Sequence, residues 1–399
     1  MEKKHQPIEQ SKRTVIVDIL RGWAILGVAI GNYSAFQTIG VPHETKQSII
    51  SEILLSVNEY LVSAKSWTLL SILFGYGFAI LINNIVAKGK NPILFFSWRM
   101  VLLFLFAFIN SLFWYGDILK DYAVLGLLML LFYRLPSKTL ILICSILIIS
   151  IPFLTAYVNG IEFNPVGITT NPAYLKLYHS GNWFDLFNFN LLASFYDEMI
   201  IPGYAIVVHT LMFACMLLGF LLQKIDFFNR LNEYKKLLKR TFWLSLIISI
   251  IIFSSFNLII FYKRFDILIF FIPYFWLVLS TMVFIASGIC LLYTNGKLKT
   301  IFSYFSYGGK MTLTNYMAQN ILGVFIFSGI GLGIGDKMPY WFYFCLAVFV
   351  FILQLFISKW WLSKYNYGPI EWLWRSASYR KLLPLKKAKS TTFTEINTI

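Results

Sequence analysis

Charge is what this chain has least of. Only 13% of its 399 residues are Asp, Glu, Lys or Arg, against 58% that are hydrophobic. The mean hydropathy is +0.69. So little polar surface cannot cover a water-soluble body of this length, which excludes a soluble globule. Cysteine is scarce too: Cys144, Cys215, Cys290 and Cys345 all fall in apolar stretches without metal-ligand spacing. That argues against a disulfide framework and against a zinc site. Acidic residues are few, 18 against 34 basic ones, for a formal net charge of +16. The excess sits in short connections and at the two ends, a pattern of membrane orientation, so no nucleic-acid partner is expected. The opening MEKKHQPIEQSKR is polar for too long to be a cleaved signal, and the first apolar stretch is expected to stay in the membrane.

What the chain has in quantity is long apolar runs and aromatic residues, the latter 19% of the total and suited to membrane-interface belts. Runs long enough to span lie near 14–36, 66–87, 94–115, 117–134, 139–158, 203–223, 240–262, 266–292, 311–334 and 340–362. The predicted fold is therefore an all-α, polytopic transmembrane bundle of about ten spans. The fourth run is short and starts with charged residues. Lys and Arg cluster in alternate connections and at both ends, so the positive-inside rule places both termini in the cytoplasm. The expected organisation is a cytoplasmic tail at 1–13, a bundle at 14–362, an interfacial segment at 363–383 and a disordered cytoplasmic tail at 384–399. One long external connection, 159–200, is rich in aromatics and too broken to span, and reads as an interfacial helix.

The first span, Thr14–Phe36, holds Asp18, Arg21 and Asn32. A charge at bilayer depth costs on the order of 3 kcal/mol and needs a partner or a purpose. Asp18 and Arg21 are three residues apart and can pair on one helical face, to which Asn32 nearly returns. The helix is expected to line a polar cavity; the alternative is a structural ion pair. Gly27 and Gly31 offer a small-xxx-small surface for a neighbour. Toward the cytoplasm the pattern adds Arg99, Thr312, Thr314, Asn315 and Gln319, and toward the outside Asn110, Asp117, Asp121 and His209. Asn110 alternatively serves as a helix–helix hydrogen bond, and Asp117 and Asp121 as solvated caps near the interface. His209 is the one histidine within a span, able to act as a base or relay or simply as an interhelical donor. Beyond the last span, GPIEWLWR places Glu371 and Arg375 one turn apart, which predicts a short interfacial helix held by its own ion pair.

Five stretches carry a resemblance: Asp18-Ile-Leu-Arg21-Gly22-Trp-Ala24; Leu69-Leu-Ser71-Ile-Leu-Phe74-Gly75-Tyr-Gly77; Gly116-Asp117-Ile118-Leu119; Gly309-Lys-Met311-Thr-Leu313-Thr314-Asn315-Tyr316; and Gly368-Pro369-Ile-Glu371-Trp372-Leu-Trp374-Arg375. In this order they resemble the YeiB-like family, bacterial membrane proteins described as a domain of unknown function (number 418). That family is distantly similar to membrane acyltransferases of the acyltransferase-3 type. The resemblance implies a bacterial plasma-membrane protein in which Arg21 matches an arginine near the cytoplasmic end of the first helix that is followed, in those enzymes, by a histidine used in acyl transfer. The histidine that follows it there is Asn32 in this chain, and asparagine cannot act as a base.

Two functions follow as expectations. One is an acyltransferase-like protein, with acetyl-CoA or another acyl-CoA as donor and an unknown small-molecule or envelope acceptor. Asp18, Arg21, Asn32, Asp117 and His209 are its catalytic candidates. Arg99, Asn110, Asp121, Asn315, Gln319, Glu371 and Arg375 are its substrate-binding candidates. The other is a transporter or efflux protein, proton-coupled through Asp18, Arg21 and Asp117. Membrane lipid is the expected surrounding partner, and no metal is called for.

Overall fold

The computed structural model describes residues 14–39, 48–161, 166–262, 265–335 and 337–387. The tail at 1–13, positions 388–399 of the tail expected to be disordered, and Lys263, Arg264 and Asp336 lie outside the described residues. Fifteen α-helices are described: α1 (Val15–Thr38), α2 (Ile49–Val57), α3 (Lys65–Ala87), α4 (Pro92–Ser111), α5 (Leu119–Met129), α6 (Ser137–Asn159), α7 (Pro172–His179), α8 (Trp183–Phe195), α9 (His209–Lys224), α10 (Lys235–Phe261), α11 (Tyr274–Thr294), α12 (Lys299–Lys310), α13 (Thr312–Phe327), α14 (Tyr340–Lys364) and α15 (Pro369–Ser378). Single π-helical turns adjoin α2, α8 and α9. The protein is an all-α polytopic helical bundle. Eight stretches among the described residues are long and apolar enough to cross a membrane. Two of the ten predicted runs fall short. The runs at 117–134 and 311–334 yield helices of 11 and 16 residues, which at 1.5 Å per residue reach roughly 16 and 24 Å.

Local chemistry sets several of the helix starts. Asn91, Asn171 and Asn182 each accept a backbone N–H of the turn that follows, and Pro92 and Pro172 occupy first positions where no N–H is needed. Packing then brings the helices unusually close at two crossings. A Cβ at Gly22 of α1 would overlap the Phe305 carbonyl of α12, and one at Gly309 would overlap the Asp18 carbonyl in return. Gly75 of α3 and Gly219 of α9 form the same reciprocal pair against Met216 and Ile72. Without side chains the backbones meet directly, the means by which membrane helices gain dispersion contact. Gly27 likewise abuts Ser66, but a Cβ on Gly31 would meet open space, so only half of that pair is used.

Two apolar cores result. The larger gathers α1, α3, α9 and their neighbours; the smaller is aromatic, built on Tyr33, Phe36, Trp114, Phe189, Phe327 and Tyr343. The long connection belongs to the smaller one. It forms α7 and α8, and Tyr178, Leu186, Phe189 and Ala193 are buried against the far end of the bundle. Asp197 fastens it by accepting Ile168 N at 2.8 Å, Thr169 N at 3.1 Å and Thr169 Oγ1 at 3.0 Å. The start of the tail is pinned as well: Asn366 N donates to Leu385 O at 2.8 Å, and Lys387 N to Lys364 O at 3.1 Å.

Candidate functional site

The connection between α4 and α5 builds the most concentrated polar cluster. Trp114 packs on Phe36 with ring centroids 4.3 Å apart, and the chain then turns back toward the N-terminal part of α13. There Asp117 Oδ1 accepts Asn110 Nδ2 at 2.8 Å and the Tyr316 hydroxyl at 3.1 Å. Its Oδ2 accepts Lys120 N at 3.2 Å, satisfying an orphan donor of the α5 N-terminus. Lys120 Nζ donates to the Asp117 carbonyl at 2.6 Å, and Ile118 N donates to the Tyr316 oxygen at 3.2 Å. Gly-Asp-Ile-Leu and the Tyr316 motif are thus two halves of one joint.

One turn into α5, Asp121 extends the cluster. Its Oδ2 accepts the Tyr204 hydroxyl at 3.0 Å, and its Oδ1 stands 3.3 Å from His209 Nε2. Facing a carboxylate, Nε2 carries the imidazole proton, leaving the Nδ1 lone pair as the basic atom. Glu198 of the long connection lies beside Tyr204. Burial pushes the Glu198 carboxyl up to about 7, against the opposing pull of Lys120. It therefore exchanges a proton near neutral pH.

Asp117 and Asp121 are fully buried, not solvated near an interface as the sequence suggested. The reason is the turned-back connection, which carries the start of α5 inside the bundle. Asn110 bonds Asp117 just beyond its own helix rather than a neighbouring span. Its Oδ1 has no hydrogen-bond partner among the described residues.

The other candidates fall elsewhere. Asn32 Nδ2 donates to Asn320 Oδ1 at 2.9 Å, one turn along α13 from Tyr316. Asn315 Nδ2 donates to Ser358 Oγ at 3.1 Å, and Gln319 Nε2 to Gln354 Oε1 at 2.6 Å, so this polar face of α13 is bound to α14. Arg21 Nη1 lies 3.4 Å from Asp18 Oδ1. Asp18 is 1% exposed beneath α12, whereas the Arg21 side chain keeps 28% of its surface accessible. The pair is thus sealed on its acidic side and open only at the guanidinium. Arg99 stacks on Trp374, its Cζ 3.6 Å from the ring centroid, close to Arg375.

Glu371 departs from the ion pair expected within α15. Its Oε1 accepts Leu313 N at 2.7 Å and Thr314 N at 3.1 Å, and its Oε2 accepts the Thr314 hydroxyl. It caps the N-terminus of α13 from a different helix. Ile370 N returns a bond to Thr314 Oγ1 at 3.1 Å. Burial pushes the Glu371 carboxyl up. The two C-terminal motifs are therefore one mated structure.

Sequence reasoning overlooked Glu198, Tyr204 and Asn320 as members of these groups. Glu198 and Tyr204 sit in irregular, π-helical backbone flanking Pro202, a break that long-range pairing alone could join to α5.

With this geometry in place, the relatives can be compared. A family model described as Protein of unknown function (DUF418) matches residues 222–381, the part holding both C-terminal motifs. The uncharacterized protein YxaH of Bacillus subtilis is 29% identical over 410 residues, covering 96% of this chain and 98% of its own. An uncharacterized 39.9 kDa protein from the amylase 3' region of Bacillus acidopullulyticus is 27% identical, covering 95% and 97%. YeiB of Escherichia coli is 31% identical over 77 residues, 19% of each chain. The chain is similar to the YeiB-like DUF418 family, whose model covers its C-terminal part. In this chain the five motif stretches build the glycine crossings, the Asp117 joint and the Glu371 cap.

Proposed function

We propose that this YeiB-like protein is a membrane-embedded acyltransferase-like enzyme of the bacterial cell membrane, with His209 as its general base. The observation that supports this reading is the contact between Asp121 Oδ1 and His209 Nε2, with Tyr204 holding the other carboxylate oxygen. It supplies the base that Asn32 cannot. In this scheme His209 Nδ1 takes the proton from an acceptor hydroxyl as the hydroxyl oxygen bonds the acyl carbon. The thiol of the acyl donor leaves, and the proton passes to it from the imidazolium. Asp121 holds the ring and steadies the imidazolium; Lys120 and Tyr316 keep Asp117 and the start of α5 in place. Acetyl-CoA or another acyl-CoA is the donor this scheme calls for, and a small molecule or envelope component the acceptor.

The test is purified protein with labelled acetyl-CoA and candidate acceptor mixtures. Thioester loss should fall by about 100-fold or more in His209→Ala and by a comparable amount in Asp121→Asn. Turnover that survives both substitutions unchanged would reject the scheme.

A proton-coupled transporter is the second reading, and α5 favours it. That 11-residue helix begins within the bundle, and interrupted helices with buried termini are how many transporters form their sites. Proteoliposome uptake that follows a proton gradient and stops in Asp117→Asn would favour it over acyl transfer.

A further inference from the structure

The start of α10 gathers charge that the acyl-transfer scheme does not use. Lys235, Lys236 and Lys239 are exposed there, and all three line one cavity of about 720 Å³ between α10 and α11. Asn232 and Asn295 add amide groups to its wall, and Phe242, Trp243 and Leu291 supply an apolar part. The carboxylate on that wall is Glu233, and it is already paired with Arg230. Among the described residues no acid pairs with any of the three lysines.

Such a grouping is unfavourable by itself. Lys235 and Lys239 are four residues apart, so the helix sets two like charges on one face. The peptide dipoles of α10 add further positive charge at the same end. An anion held in the cavity turns both effects from a cost into an attraction. A space of this size falls within the roughly 300–1,000 Å³ of small-ligand pockets. What lies along the helix narrows the choice of anion. From Lys236 and Lys239, steps of three and four residues lead to Trp243, Ile247 and Ile251, all exposed. They lie in a stretch long and apolar enough to cross a membrane. Trp243 stands where the basic surface gives way to the apolar one, the usual place of tryptophan at a membrane interface. A soluble anion would use the lysines and leave this stripe idle. A phospholipid uses both, its headgroup among the lysines and its acyl chains on the stripe.

We propose that this cavity binds the headgroup of an anionic phospholipid whose acyl chains lie along Trp243, Ile247 and Ile251 of α10. The site stands independently of the role assigned to His209.

Native mass spectrometry and melting curves of the full-length protein in detergent test this. The probes are phosphatidylglycerol, phosphatidylethanolamine with the same acyl chains, and inorganic phosphate. Phosphatidylglycerol should bind and raise the melting temperature, and zwitterionic phosphatidylethanolamine should bind far more weakly. Lys235→Gln, Lys236→Gln and Lys239→Gln should each weaken phosphatidylglycerol about fivefold, and the three together about 100-fold, as expected for lysines facing anionic lipid. Lys138→Gln, Lys381→Gln and Lys386→Gln combined remove the same charge from exposed positions outside the cavity and should leave binding nearly unchanged. Without lipid, the cavity triple variant should melt no lower than the wild type, because only repulsion has been removed. That measurement separates lost binding from lost folding. Equal loss of lipid in the two triple variants would overturn the proposal, as would equal binding of the two phospholipids. So would inorganic phosphate that binds with the same lysine dependence while phosphatidylglycerol does not.

Discussion

Replacing Glu371 with alanine should destabilise the bundle far more than an exposed interfacial residue has any right to. Its carboxylate receives two backbone N–H groups of α13 and the Thr314 hydroxyl. Removing it strands two donors at a helix start packed inside the protein, each worth about 1–3 kcal/mol when left unpaired. Against that, the variant no longer buries a carboxylate, the same burial that pushes the Glu371 carboxyl up. The net loss should be about 2–4 kcal/mol. Glu371→Gln keeps one acceptor oxygen and drops the buried charge, so it should lose about half as much. Equilibrium unfolding of the detergent-solubilised protein measures both. An ordinary ion pair along α15 would contribute about 0.3–0.5 kcal/mol. A loss that small in Glu371→Ala refutes the cap.

Gly309→Ala should cost about 3 kcal/mol or prevent folding, because its methyl group would meet the Asp18 carbonyl, a backbone atom that cannot swing aside; yield and melting temperature report it. Tyr316→Phe should cost about 1–3 kcal/mol, since it orphans Ile118 N and removes one donor from buried Asp117. Stability should also fall with rising pH. Glu198 is raised from its ordinary 4.5 to about 7, so the folded state binds its proton more tightly than the unfolded one. Its contribution is fully present below about 4.5 and is lost as pH climbs through about 7. Melting curves across that window should show the decline, and Glu198→Gln should flatten it.

How far the sequence carried the site can be seen from particular residues. The pairing of Asp18 with Arg21 was legible because it is a local matter of three residues on one helix. That Asp121 would meet His209 was not, since the two lie 88 positions apart and come together through the packing of α5 against α9. Glu371 misled for the same reason: its near partner by spacing was Arg375, and its actual partner lies 57 and 58 positions away.

By itself the sequence determined that this is a helical membrane bundle, because hydropathy is a local sum and a lipid solvent forces each apolar run to satisfy its own backbone. It also marked the glycines and motif residues. Only the tertiary structure decided which of them touch. Helix crossings set by glycine-to-carbonyl contact and one chain reversal after α4 fix those meetings, and neither leaves a periodic trace in the chain.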